Sequence, residues 1–213
     1  MQHTFGLNIP QNLEEACDPT HVALLVYDMQ ADIFEQAPGL KSVIPHVTAV
    51  IAAARSARVR TFFSRHMSMP NQLAGVAQLH TAMAWQRVDK VENVRPRFIR
   101  GSPGFALIPE LQPRPDEMVF DKIGMSFFSG TPLDTALRDA GITTFIIVGT
   151  VLEIGIAPTI SHGVDLGYIP IVVTDACGSV NEEARKRTLA DIEYAQTSLT
   201  TDTATICRLL SSS

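Results

Sequence analysis

Cysteine is scarce in this chain: Cys17, Cys177 and Cys207 are the only three in 213 residues. Their wide spacing indicates neither a disulfide framework nor a zinc site, so they read as reduced thiols. Charge is also sparse, at 18% of residues with a net charge of -5 and a pI near 5.6. Without a face of clustered Lys and Arg, nucleic acid is excluded as a partner. No apolar run reaches the ~20 residues of a membrane span, and Met1 to Pro10 lacks the basic start and apolar run of a signal peptide. The default expectation is therefore the cytoplasm. A Gly-rich phosphate loop is missing too, because Gly149 and Gly155 do not form a dinucleotide spacing. There is no internal repeat, low-complexity tract or dividing linker. With 46% hydrophobic residues, the length suits one domain over 1–213, with residues 1–20 as an extension and a small molecule as partner.

The apolar runs have strand length. Val22 to Tyr27 is nearly continuous, as a parallel strand buried on both faces requires, and it stops at Asp28. Val59 to Ser64, Met118 to Asp121, Phe145 to Val148 and Ile169 to Thr174 read as further strands. Between them lie helical signals. Pro45 opens a helix with Val47, Val50, Ile51 and Ala54 on one face. Thr131 and Pro132 precede the stripe Leu133, Ala136, Leu137 and Ala140, which Gly141 ends. Asn181 caps a later helix, and Asp202 begins the last one with Ile206, Leu209 and Leu210 turned inward. Alternation of this kind predicts an α/β fold, three-layer and doubly wound, with a mostly parallel six-stranded sheet and helices on both faces. Ligands then bind outside the carboxyl ends of the strands. Residues 66–115 form an unusually long connection, read as an active-site loop in which Val76, Leu79 and Met83 mark a short helix.

Asp28 and Lys122 both sit at predicted strand ends. A carboxylate there is tuned upward by burial and downward by a cation, although it also suits a simple turn cap. Lys122 alone reads equally as a solvated lysine.

Four stretches taken together resemble the isochorismatase-like, or cysteine hydrolase, superfamily. They are Ala23 to Gln30, Arg100 to Gly104 with Ile108 to Leu111, Asp121-Lys122 with Ser126 to Leu133, and Val148 to Thr159. The resemblance implies that Asp28 transfers protons and that Lys122 holds it ionised or orients substrate. In amidase members the Gly149 to Gly155 turn would end in a nucleophilic cysteine. Here Gly155 stands at that position, so acyl-enzyme formation is closed and water must attack directly. Gly155 resembles the residue of the true isochorismatases, which cleave an enol ether after protonation by the aspartate.

The same resemblance implies a non-proline cis peptide at Thr150-Val151 and a homo-oligomer, dimer or tetramer. It places Phe34, His66, Trp85, Thr150, Val151 and Glu153 around the substrate. His66 stands where isochorismatases use glutamine, and Gln86-Arg87-Val88 replaces their Gly-Pro-Gly continuation, which puts isochorismate itself in question. Trp85 suits pocket lining and loop anchoring equally. Gly155 leaves room for a ligand at the turn's N–H groups, or merely permits close packing. No cofactor is expected, and no metal, since hard ligands around His66 and His80 are missing. The rivals are amide or carbamoyl hydrolysis, with Cys177 as a displaced nucleophile or an inert buried thiol, and a catalytically silent binding protein.

Overall fold

The computed structural model describes residues 1–211. A hairpin of β1 (Gln2–Thr4) and β2 (Leu7–Ile9) and a one-turn helix α1 (Leu13–Ala16) precede β3 (Val22–Tyr27). The chain continues through α2 (Ala31–Gln36), α3 (Ile44–Ser56), β4 (Arg60–His66), α4 (Val76–Gln86) and β5 (Met118–Lys122). After α5 (Leu133–Asp139) come β6 (Thr144–Thr150), a π-helical turn Leu152–Ile156, α6 (Ala157–Asp165) and β7 (Ile169–Gly178). The last elements are α7 (Glu182–Ala195), β8 (Leu199–Thr201) and α8 (Thr203–Ser211).

Among the described residues the main sheet has six strands in the order β5-β4-β3-β6-β7-β8, and every neighbouring pair is parallel. Both faces of β3 are covered, which explains why its sequence is apolar without alternation. Val22, Leu24 and Val26 join one core with residues of α3 and α8, including Val47, Val50, Ile51, Ile206 and Leu210. Ala23, Leu25 and Tyr27 point the other way, into a core built with Leu133, Leu137, Ile156 and Ile160 of α5, the π turn and α6. The chain leaves β3 for β4 on one side and later lays β6 on the other, so the carboxyl ends of β3 and β6 flank a crevice at the switch point.

The predicted helix signals at Asn181 and Asp202 are seen as caps, accepting from Ala184 N and Thr205 N at 2.9 and 2.7 Å. One expectation needs correction. Cys17 does not lie on a surface extension: it is buried beside Ala16 in the first core, because α1 packs the thiol inward. Residues 1–20 also hold a hairpin, turned by Phe5 and Gly6 at φ 53 and 75. β8, with only three residues between α7 and α8, carries no apolar run that its sequence would reveal.

Candidate active site

Asp28 follows β3 in a left-handed conformation, φ 41, which is uncommon for a residue other than glycine. The turn is closed by Gln30 N donating to Asp28 O at 2.8 Å, and Thr150 Oγ1 at the end of β6 donates to the same carbonyl at 3.2 Å. Both carboxyl oxygens of the buried Asp28 are engaged. Ser64 Oγ of β4 donates to Oδ1 at 2.5 Å, and Lys122 Nζ at the end of β5 donates to Oδ2 at 2.7 Å. Three parallel strands thus deliver one carboxylate, its hydroxyl partner and its counter-ion to one end of the sheet.

Lys122 is fully buried and has an acceptor for each of its three protons: Asp28 Oδ2, Tyr27 Oη at 2.7 Å and Gly124 O at 3.2 Å. Its ammonium also stands 4.2 Å from the centre of the Tyr27 ring. Burial lowers the Lys122 pKa from the ordinary lysine range, and the Asp28 charge and hydrogen bond oppose that shift. The Tyr27 phenol is pushed well above its usual range, first by burial and then by Asp28, so it is neutral. It donates to Met125 O.

Tyr27 also determines what Gly155 does. A Cβ placed on Gly155 would overlap the hydroxyl and ring of Tyr27. The space is therefore filled by phenol rather than left for a ligand, and of the two readings of Gly155, close packing describes its surroundings. Three of the turn's N–H groups are committed as well: those of Ile154, Gly155 and Ile156 all donate to Val151 O, at 3.3, 3.0 and 3.2 Å. That convergence removes these three donors from any anion. The Thr150-Val151 peptide is cis, as expected.

A cavity of about 200 Å³ opens over Asp28, lined by Tyr27, His66, Trp85, Thr150, Val151 and Gly155 among others. His66 stacks edge-on against Phe98 at 5.5 Å, and burial is the main cause lowering its pKa, so its imidazole is neutral at pH 7. Two expected lining residues point elsewhere. Phe34 is buried in the first core with Leu40 and Val43, and Ile33 and Gln36 of the same helix face the cavity instead. Glu153 turns to the end of β7, where Oε1 accepts from Ser179 Oγ and Val180 N at 2.9 and 3.2 Å.

Ser64 and Gln30 are positioning residues to which the sequence reading gave no role. A lone serine closing an apolar run was the available signal for Ser64. Gln30 is fully buried, donates to His66 O and Phe105 O at 3.0 Å each, and accepts from His66 N at 2.7 Å. It ties the long loop to the sheet. Gln30→Ala strands three buried polar groups, so urea denaturation is expected to show a loss of about 2–4 kcal/mol, at the usual ~1–3 kcal/mol for each unsatisfied group and allowing for water entry.

None of the three thiols lines the cavity over Asp28. Cys177 is 0% exposed and donates to Ile147 O, and burial raises its pKa to about 12. Burial likewise raises Cys17 to about 11. Cys207 is half-buried on α8, which packs against α3.

The Isochorismatase domain model matches residues 22–205. The chain is 30% identical over 197 residues to ureidoacrylate amidohydrolase RutB of Pantoea ananatis (strain LMG 20103), covering 82% of this chain and 76% of that protein. Its identity to ureidoacrylate amidohydrolase RutB of Methylobacterium radiotolerans is 28% over 205 residues, 88% of this chain and 80% of that one. Among solved structures, a cysteine hydrolase from Pseudomonas syringae pv. phaseolicola 1448A superposes with a TM-score of 0.78 at 25% identity, covering 92% of this chain and 94% of the other.

Proposed function

Because the chain belongs to the isochorismatase family and is a hydrolase, we propose that it cleaves its substrate by proton transfer at Asp28 and direct attack of water, with no covalent enzyme intermediate. The observation that carries this reading is the phenol of Tyr27 seated where a side chain at position 155 would have to be. The reading is supported further by the two buried thiols, which are protonated at neutral pH.

The bond this route suits is an acid-labile one, of enol-ether type. Protonated Asp28 delivers its proton to the vinyl carbon, leaving an oxocarbenium ion. Water adds to that cation and returns a proton to Asp28, and the resulting hemiketal collapses to an alcohol and a carbonyl compound. Lys122 steadies the ionised form of Asp28 between these steps, and Ser64 fixes the plane of the carboxyl. A placed carboxyl of this kind is typically worth ~10² to 10⁴ in rate. A second reading, hydrolysis of a ureido or other amide bond, is favoured by the names of the relatives at 28 and 30% identity. Asp28 would then act as base toward the attacking water.

Iodoacetamide tests the shared claim. At pH 8 turnover is expected to persist undiminished, with Cys207 alone accepting label in the native protein and all three thiols accepting it in urea. The sign of the pH effect follows from the raised values: native Cys17 and Cys177 ionise only as pH climbs toward 11 and 12, so their labelling grows with pH there. Loss of activity in step with labelling of Cys177 at pH 8 would remove the proposal. Assaying vinyl ethers beside ureido and simple amides then selects the bond.

A further inference from the structure

The helix α4 is apolar in sequence, yet none of its eleven residues is buried. Leu79, Ala82 and Trp85 recur at helical spacing and look into a cavity of about 720 Å³. The rest of the lining includes Val94, Phe98 and Met125, together with Arg95 and Arg97. This outer cavity meets the one over Asp28, since His66, Trp85, Phe98 and Met125 line both. An apolar helix face held off from the core leaves hydrocarbon in contact with water, at a cost of roughly 25 cal/mol per Å². A ligand whose reacting group reaches Asp28 and whose body is apolar removes that contact.

Resting on the Asp28 reading of the inner cavity, we propose that the substrate is amphiphilic: a small polar reacting group joined to an apolar body, an alkyl chain of about six carbons or an aryl group, seated against the inner face of α4. The continuity of the two cavities is the reason for choosing substrate as the occupant rather than a second copy of the chain. The volume decides its size, for pockets of roughly 300–1,000 Å³ take drug-sized molecules, whereas the inner cavity alone takes only a small head group.

Trp85 makes the test direct. It is the chain's single tryptophan, it is 57% exposed, and it lines both cavities. Linear primary amides from butanamide to octanamide, whose neutral head group is not repelled by Asp28, are titrated against its fluorescence, with the constant head group cancelling along the series. Affinity is expected to rise about three- to fourfold per methylene, the value of ~0.8 kcal/mol for burying each one, with a blue shift of the emission. Ala82→Phe, which puts a ring into the cavity, is expected to flatten that dependence, weakening the longest member of the series far more than the shortest. Asp28→Asn is expected to keep the chain-length dependence whatever it does to turnover. A flat series in the wild-type protein overturns the inference, as does concentration-dependent dimerisation that alone accounts for the blue shift. A steep series with turnover independent of Asp28 overturns only the mechanism on which the inference rests.

Discussion

Asp28→Asn is expected to lower kcat by about two to four orders of magnitude, the range a positioned proton-transfer group supplies. The amide keeps the shape of the carboxyl and still accepts from Ser64 or Lys122, so the cavity survives, but it no longer carries a transferable proton. The substitution has a second consequence. It leaves the Lys122 ammonium buried without its counter-ion, and breaking one side of a buried pair typically costs about 3–5 kcal/mol. Activity and stability must therefore be read separately. Adding Lys122→Met to Asp28→Asn removes the orphaned charge and is expected to recover much of the thermal stability without recovering turnover. Stability and activity returning together would make the pair structural; near-normal turnover in the folded single variant would take Asp28 out of the reaction.

Asp28 itself was legible because its grammar is local. A strand buried on both faces must be apolar throughout, so the first polar residue after Val22–Tyr27 marks the carboxyl end of the sheet. Lys122, by contrast, ends a partly buried edge strand already interrupted by Asp121, and its role came from the family resemblance. The helices with caps or a first-turn proline were legible for the same reason, as at Pro45 and Asn181. What escaped was set by neighbours distant in sequence. Nothing near Gly155 says that Tyr27, from another strand, lies across it, and nothing near Gln30 says that it bridges His66 and Phe105. Glu153 and Phe34 failed as lining residues because a residue's place beside a pocket wall does not fix which way its side chain turns. β8 escaped because its three residues, Leu199–Thr201, at the sheet's edge carry no apolar run of their own.

Gly155 and Tyr27 are accordingly expected to behave as one unit. Gly155→Ala puts a methyl into the Tyr27 ring, and because the phenol is held by Lys122 and Met125 it has little freedom to yield. Overpacking of this kind costs about 1–3 kcal/mol, and the fixed ring argues for the upper part of that range. Tyr27→Val alone opens a cavity and removes one acceptor from Lys122, so it too is destabilising. In the double variant the methyl occupies part of the vacated volume, and the two losses are expected to fall short of their sum by about 2 kcal/mol in a double-mutant cycle. The chemistry should follow the packing. Gly155→Cys alone is expected to give a thiol that is strained and inert, whereas in the Tyr27→Val background the introduced thiol has room beside the cavity that Asp28 and Lys122 adjoin, and mass spectrometry should find it labelled by iodoacetamide at pH 8. Equal labelling with and without Tyr27 would show that the phenol does not occupy the site of attack, and direct hydrolysis by water would lose its structural support.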